Sequence, residues 1–451
     1  MEERPMSAGK QRLRPVAKSL PQGIREFLTP SLFKQVRSVR SRRKLPRWDI
    51  HPLLYVLILC SWCCGDSLPE RFEVARGFYV FTCPKKRRPG TTFSGFEKAV
   101  AKLPMSVLRR VAATVRERMV RVFGEQWLHE GFVPLGCDGS RQECPRSEEL
   151  ERRLGTFGKD GAAPMLWNTS IVHLRLGIPW CWWWGRGGKA SERSHLQQMI
   201  PWLPFNALLI ADAGYVGYQL MRSLIIANVC FLIRMSSHAT FYTLEEQQLD
   251  QFCEGIVYYW PQKIRAKGEP PLRGRLICVR DKRRKVDVWL FTNVEDRQRL
   301  SVEAAGKFYS WRWECEGFFR SYKRTMKMMK LSGRTIRTVH REAEASMIAV
   351  QLMLCLGSQA VAAKASNKGT AAVASPRKVL LAIRSAMRGK DAGSKYSKQI
   401  ALATRDSRQR VTHKEQRKWP RRKTHQPPSP PVLLKLPDDL KAKIRPDLLA
   451  A

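Results

Sequence analysis

Short apolar runs, each followed by turn residues, begin at residue 131 and constrain the fold more than any other feature. Ala207 to Ile210 is one such run, and further strand candidates are Val229 to Ile233, Leu276 to Val279 and Val286 to Phe291. A short apolar run without alternating polar residues favours a strand that is buried on both faces. Helices must cover a sheet of that kind. The pattern therefore predicts an α/β fold in which helices flank the sheet.

Helical periodicity dominates on both sides of these runs. Between residues 48 and 130, apolar residues recur at spacings of three and four, and arginines occupy the opposite face. That face is either an ordinary solvated surface or part of a helical DNA-binding region. Residues 303–330 and 335–360 are expected to form two more helices. The apolar positions are Leu108, Val111, Val115, Met119 and Val122, and the arginines are Arg109, Arg110, Arg116, Arg118 and Arg121.

Basic residues far outnumber acidic ones. The chain has 81 Lys and Arg against 39 Asp and Glu, which gives a net charge of +42 and predicts a polyanionic partner. Residues 1–47, with a cluster at 40–44, are expected to form a basic flexible arm. Residues 361–451 are expected to form a basic low-complexity tail that is partly helical at most. Either segment could contact phosphates or remain solvated.

Membrane insertion and secretion are not expected from the sequence. Met1 to Lys10 lacks the apolar core of a signal peptide. Ile50 to Cys64, the longest apolar stretch, is shorter than the roughly 20 residues that a spanning helix needs. The basic segments are broken by prolines, so a membrane-surface role is disfavoured. The 12 cysteines then indicate a reducing compartment, and a cytoplasmic protein is expected.

Two aspartates occupy equivalent positions after apolar runs. Asp138 follows Phe132 to Gly136, and Asp212 follows Ala207 to Ile210. Each aspartate by itself is most simply a turn residue. In a sheet covered by helices, however, functional groups gather at the carboxyl ends of the strands, so the two carboxylates can face one crevice.

A third carboxylate lies in an unusual aromatic segment. If residues 309–323 form one helix at 100° per residue, five polar side chains share a stripe about 80° wide. The flanking Trp311, Trp313, Phe318 and Phe319 predict that this helix is substantially buried, so the stripe should face a polar partner such as a phosphate. The five residues of the stripe are Tyr309, Arg312, Glu316, Arg320 and Lys323.

Three converging carboxylates with basic neighbours suit two Mg²⁺ or Mn²⁺ ions. Mg²⁺ is typically held by a few carboxylates together with water and phosphate oxygens. Two such ions can activate the attacking oxygen and stabilise the leaving oxygen of a phosphodiester. Asp138, Asp212 and Glu316 are the predicted ligands, and the predicted chemistry is phosphodiester hydrolysis or transesterification.

The spacing Tyr309-x2-Arg312-x3-Glu316-x6-Lys323 resembles the Y-R-E-K motif of insertion-sequence DDE transposases of the IS-four type. Asp138-Gly139-Ser140 resembles the first catalytic aspartate motif of that family, and Asp212-Ala213-Gly214-Tyr215 resembles the second. Gly188 to Leu196 is similar to the segment between the two motifs. The resemblance extends over about residues 130–350.

The resemblance implies an RNase H-like mixed sheet flanked by helices, within a catalytic domain at residues 131–360. It implies a β-rich insertion at about residues 236–300, before the catalytic helix. Asp138, Asp212 and Glu316 would be the catalytic metal ligands. Tyr309, Arg312 and Lys323 would contact DNA, and the helix arithmetic adds Arg320 to them.

The implied activity is cleavage of double-stranded DNA at transposon terminal repeats, followed by joining of the 3′-hydroxyl ends to target DNA. The expected partners are those DNAs and a second protomer in a homodimer, in the nucleoid of a prokaryote. Two alternatives remain open from the sequence. One is a metal-dependent nuclease on the same fold, and the other is a non-catalytic DNA-binding protein derived from a transposase.

Overall fold

The computed structural model describes residues 17–38, 48–86, 88–155, 162–186, 191–280, 287–366, 373–389, 394–405, 429–441 and 444 of the 451-residue chain. The basic cluster at 40–44 and the segment 188–190, both singled out by the sequence, lie outside these ranges.

Helices dominate the described chain up to residue 186. Asp49, Ser67, Thr92 and Ser147 each accept a backbone N–H at the start of a helix, as N-cap residues do. The elements are α1 (Leu20–Phe27), α2 (Pro30–Ser38), α3 (Ile50–Cys60), α4 (Leu68–Thr82), α5 (Phe93–Ala101), α6 (Met105–Phe123), β1 (Val133–Glu143), α7 (Glu148–Leu154), β2 (Met165–His173) and β3 (Ile178–Arg186).

Strands and helices are interspersed from residue 191 to residue 310, and helices with one short strand follow. The elements are α8 (Glu192–Met199), β4 (Ala207–Ala211), α9 (Tyr218–Ile226), β5 (Cys230–Arg234), β6 (Thr240–Thr243), β7 (Glu254–Tyr259), α10 (Gln262–Arg265), β8 (Leu272–Val279), β9 (Val288–Thr292), α11 (Val302–Ser310), α12 (Trp313–Arg320), α13 (Ile336–Ser366), α14 (Pro376–Met387), α15 (Ser394–Ala401), β10 (Val432–Lys435) and α16 (Asp438–Lys441).

The chain divides into two compact units. Unit 1 consists of Met1–Leu128, Gly139–Ala190 and Glu316–Asp406. Unit 2 consists of His129–Asp138, Ser191–Cys315 and Ser407–Ala451. Strand β1 contributes its first residues to unit 2 and its last residues to unit 1.

Helix α13 is the core of unit 1. Ile336–Lys364 is long and apolar enough to cross a membrane, but its most apolar window is entirely buried inside the protein, as expected of a core helix. Buried hydrogen bonds connect the helix to its surroundings: the Trp62 indole donates to Ala349 O at 3.0 Å, and the Gln351 amide donates to Pro179 O at 2.8 Å. Apolar burial around α13 therefore organises this unit.

Both ends of the chain contribute helices to unit 1, which differs from the expected arm and tail. In α1, Leu20, Ile24 and Phe27 are buried. In α14, Val379, Leu380 and Ile383 are buried, although this helix lies within the stretch expected to be low-complexity. Each of these amphipathic helices has an apolar face that packs in the core. That face was missed because basic residues dominate the composition of both segments.

The predicted apolar face of α6 is confirmed. Its five residues are all buried, with exposed fractions from 0% to 5%. The arginines of the opposite face divide into two groups. Arg118 donates to Glu26 O at 2.9 Å, and the guanidinium of Arg109 lies 5.6 Å from the Trp183 ring. Arg110 and Arg121 are exposed, as is Arg109 in spite of its ring contact. The face is thus partly used inside unit 1 and is not uniformly solvated.

The strand order in unit 2 is β10-β6-β7-β8-β9-β5-β4-β1. Strands β1, β4 and β5 are parallel, and β5, β9, β8, β7 and β6 pair antiparallel. In unit 1, β2 neighbours β1 and pairs antiparallel with β3. The order β3-β2-β1-β4-β5, with β1 shared, is that of an RNase H-like sheet. The predicted α/β fold with a mixed sheet flanked by helices is therefore confirmed. The predicted insertion at 236–300 contains β6, β7, β8 and β9.

Candidate active site

Asp212 directly follows β4, as expected, whereas Asp138 lies within β1, which continues to Glu143 and does not end after the apolar run. The two residues are nevertheless on neighbouring, parallel segments. Gly136 in β1 is in register with Ile210 in β4, so continuing the register by two residues places Asp138 beside Asp212. Paired residues of parallel strands are about 5 Å apart and face the same side of the sheet. Both aspartates are half-buried. The sequence prediction that the two apolar runs bring these carboxylates together is consistent with this register.

The turn after β4 orients the Asp212 carboxylate. Its Oδ1 accepts the backbone N–H of Gly214 at 2.9 Å, at the start of a 3₁₀ turn over Ala213–Tyr215. A Cβ atom on Gly214 would lie 3.0 Å from the same oxygen. Glycine at this position therefore allows the backbone to approach the carboxylate closely, and the hydrogen bond holds one carboxylate oxygen in place.

Arg312 supplies the positive charge of the site. Its guanidinium carbon lies 5.9 Å from the Tyr309 ring centroid and 5.0 Å from the Trp313 ring centroid. Burial lowers the pKa of Arg312, but the charges of Tyr309, Asp212 and Asp138 outweigh that effect and raise this pKa above its ordinary value. The guanidinium is thus within electrostatic reach of both aspartates.

The expected single helix over residues 309–323 is wrong. Helix α11 ends at Ser310 and α12 begins at Trp313. At the junction, the Arg312 N–H donates to Tyr309 O at 3.1 Å, three residues back, which tightens the turn relative to an α-helix. Residues Ser321–Thr325 form a π-helical turn. The angles calculated at 100° per residue therefore do not apply across residues 311 and 321, and Trp313, expected to be buried, is 55% exposed.

The motif residues are divided between the two units. Tyr309, which is buried, and Arg312 belong to unit 2 with the two aspartates. Glu316, Arg320 and Lys323 belong to unit 1. Within unit 1, Glu316 and Arg320 are exposed on α12. Burial, and then the positive charge of Arg141, lower the pKa of the Lys323 ammonium.

A further carboxylate of unit 2, Glu192, contacts Tyr215, which lies three residues after Asp212. The Tyr215 hydroxyl donates to Glu192 Oε2 at 2.9 Å and accepts from the Cys137 thiol at 3.4 Å. Burial raises the pKa of Tyr215, and the charges of Cys137, Glu192 and Asp138 add to this rise. Glu192 and Tyr215 both belong to segments that carry the family resemblance, which was the signal available in the sequence.

The donor set of unit 2 suits a divalent metal ion. Two adjacent carboxylates match the preference of Mg²⁺ for one or two protein carboxylates plus water and phosphate oxygens. Among the described residues, no group of three or more His, Cys, Asp and Glu side chains is arranged to hold a metal ion. The pair of aspartates is therefore the part of the predicted three-carboxylate site that unit 2 brings together.

Residues 185–352 match a family model described as "Transposase DDE domain". The matched range includes Asp212, Arg312 and Glu316, and the match supports a DDE transposase. No curated protein matches the chain. Among solved structures, the "Cryo-EM structure of piggyBac transposase synaptic complex with hairpin DNA (SNHP)" is similar over 85% of this chain and 85% of that chain, with 9% sequence identity and a TM-score of 0.41. The assignment of the fold rests on the strand order and not on this distant likeness.

Proposed function

We propose that the chain is a DNA transposase that cleaves double-stranded DNA at transposon ends and joins the 3′-hydroxyl ends to target DNA. The observation that carries this proposal is the register of β1 and β4, which sets Asp138 beside Asp212 with Arg312 in electrostatic reach of both. The match of residues 185–352 to a transposase family model supports DNA as the substrate class.

Asp138 and Asp212 would hold divalent cations, Mg²⁺ or Mn²⁺. When bound, such ions activate the attacking oxygen and stabilise the leaving oxygen of a phosphodiester. The Gly214 N–H fixes one Asp212 oxygen, so that carboxylate is oriented before substrate arrives. Preorganisation of this kind lowers the reorganisation needed in the transition state.

Arg312 would bind a non-bridging phosphate oxygen of the DNA. Its guanidinium lies within 6 Å of two aromatic ring centroids, Tyr309 and Trp313, which restrict its position. The site would then carry both charges that a metal-bound phosphodiester requires. The two carboxylates supply negative charge for the metal ion, and the guanidinium supplies positive charge for the phosphate.

Glu316 remains the proposed third metal ligand, and Arg320 and Lys323 remain proposed DNA contacts. These roles rest on the motif spacing in the sequence. The proposal extends to a second protomer in the DNA complex, because two transposon ends must be joined, and to the cytoplasm and nucleoid of a prokaryote as the place of action.

Cleavage of duplex DNA that carries the ends of the encoding element, with flanking DNA, tests the proposal directly. Wild type with Mg²⁺ should release the flanking DNA and join the ends to a second duplex. Asp138→Asn, Asp212→Asn and Glu316→Gln should each abolish cleavage and retain duplex binding, because binding comes mostly from basic residues.

Glu314→Gln is the matched control, since it removes a carboxylate two residues from Glu316 and should cut like wild type. Cleavage without joining would identify a nuclease. Binding without cleavage by wild type, in both Mg²⁺ and Mn²⁺, would identify a non-catalytic DNA-binding protein. Normal cutting by Asp138→Asn or Asp212→Asn would refute the assignment of the site.

A further inference from the structure

Unit 1 contains an open basic pocket that the proposed reaction does not use. It lies where α1 and α2 meet the first turns of α3 and the segment that follows α4. Its volume is about 450 Å³. Clefts of several hundred Å³ or more are of the size that binds a small organic ligand.

The rim of this pocket is strongly positive. Five exposed cations line it, and no carboxylate does so among the described residues. The nearby Asp49 carboxylate accepts from the Arg37 guanidinium at 2.9 Å, which offsets one of the five charges. Four cations then remain to attract an anion. The five residues are Arg25, Lys34, Arg37, Lys85 and Lys86.

The floor of the pocket is aromatic and neutral. The His51 ring lies 4.3 Å from the Phe33 ring and 4.7 Å from the Tyr55 ring, measured between centroids, and the Tyr55 ring is stacked on it. Burial, and then the charges of Lys86 and Arg37, lower the pKa of His51 to about 4. The imidazole is therefore uncharged at neutral pH. The positive charge of the pocket comes from its rim, and that charge helps to keep His51 neutral.

We propose that this pocket binds a nucleotide, with its phosphate on the basic rim and its base against the aromatic floor. Aromatic side chains that contact the bases, combined with a basic surface, are the usual way to hold unpaired nucleotides. A paired base cannot enter a concave pocket without leaving its stack, so the ligand is a single strand or a free nucleotide. The three rings of the floor pack on one another and are only 5–9% exposed, so a base would contact their edges and not their faces. An acidic peptide would satisfy the rim but would make no aromatic contact with these edges.

The inference goes beyond the proposed function because it involves none of the residues of the aspartate site. It rests on that function only for the choice of DNA as the strand. Binding is therefore measured in EDTA, where cleavage is not required. A protein that failed to cut DNA could still bind a nucleotide at this pocket. A protein that failed to bind a nucleotide here could still cut DNA.

The first experiment measures binding of a fluorescein-labelled tetrathymidylate to the full-length protein. Lys34→Glu combined with Lys86→Glu should weaken binding about tenfold or more, because two phosphate-directed cations become anions. The matched control is Lys98→Glu combined with Lys102→Glu, which makes the same charge change at two exposed positions of unit 1 outside the pocket. The control should weaken binding less than about threefold.

Phe33→Leu tests the aromatic floor separately, because it retains apolar bulk and leaves every cation in place. It should weaken tetrathymidylate binding. The concentration of inorganic phosphate that displaces the labelled strand from the protein should stay unchanged. Thermal unfolding of each variant verifies that the protein is folded. Equal loss of binding in the two double variants would overturn the proposal, because the effect would then be one of net charge.

Competition distinguishes the two sources of a nucleotide. If thymidine monophosphate displaces the probe as well as an equal concentration of unlabelled strand does, the ligand is a free nucleotide. If only the strand displaces it, the ligand is single-stranded DNA. Displacement by polyglutamate with equal efficiency would overturn the proposal. Photocrosslinking of a 5-iodouracil strand should label peptides within residues 25–55 or 82–86, and labelling confined to other peptides would also overturn it.

Discussion

Gly357 provides a sharp test of whether the C-terminal helix α14 belongs to the core. A Cβ atom placed on Gly357, in the middle of α13, would overlap Val379 Cγ2 and lie 3.2 Å and 3.3 Å from Cγ1 and Cβ of the same residue. Val379 is fully buried and its β-branched side chain is stiff, so it has little freedom to move away. Gly357→Ala should therefore force α13 and α14 apart.

The expected magnitude follows from two opposing contributions. Overpacking a core costs about 1–3 kcal/mol, and three close atoms of one stiff side chain indicate the upper half of that range. Replacing glycine by alanine inside a helix returns about 1 kcal/mol. The net loss in the free energy of unfolding should be about 1–2 kcal/mol.

Gly77→Ala is the matched control, because Gly77 is exposed in α4 and a Cβ there would meet nothing within 4 Å. It should stabilise the protein by about 0.5–1 kcal/mol. Urea unfolding followed by tryptophan fluorescence gives both values. In a Val379→Ala background, Gly357→Ala should no longer destabilise. A Gly357→Ala protein as stable as Gly77→Ala, with no coupling to Val379, would refute the packing of α14 on α13.

Three further predictions concern buried polar groups and the aspartate site. Burial lowers the pKa of His173 to about 4, below the 6.5 of an exposed imidazole, and its Nδ1 accepts the Leu176 N–H at 3.2 Å. With His173 deprotonated, the folded state binds fewer protons than the unfolded state. The contribution of His173 to stability should therefore be constant above pH 6.5 and fall by roughly 3 kcal/mol towards pH 4. His173→Gln should flatten that decline in urea unfolding, and an unchanged decline would contradict it. Tyr215→Phe removes the hydroxyl that donates to Glu192. Cleavage should fall about tenfold and should require a higher Mg²⁺ concentration, while duplex binding stays unchanged. An unchanged dependence of cleavage on Mg²⁺ concentration would exclude a positioning role for Tyr215. Arg312→Lys should slow cleavage about tenfold through loss of the planar fork, and a matching loss of duplex affinity would mean that Arg312 serves binding alone.

The sequence predicted the sheet well because burial of a strand is recorded locally. The runs at 207–210, 229–233, 276–279 and 286–291 overlap β4, β5, β8 and β9. A carboxylate directly after a buried run was expected to mark the end of a strand. Asp212 fits that expectation because it directly follows β4, whereas Asp138 lies inside β1, which continues to Glu143. The aspartate pair and Arg312, the part of the site held in unit 2, could therefore be named before the fold was known.

Long-range packing decided what the sequence could not. The break between α11 and α12 interrupts a pattern that reads as one helix, because the chain turns at Trp311 and Arg312 through three-residue hydrogen bonds. The partnership of Glu192 with Tyr215 joins residues 23 positions apart, and no local pattern records such a contact.

What the sequence determined by itself is the α/β class, the aspartate that directly follows β4, and the excess of positive charge, because each follows from neighbouring residues or from composition. Only the tertiary structure decided that α1 and α14 are core helices, that the arginines of α6 are partly used inside unit 1, and that five cations surround an aromatic floor. Those features depend on which surfaces meet. An amphipathic helix is buried only if a complementary apolar face lies elsewhere in the chain. A basic composition does not show whether such a face exists.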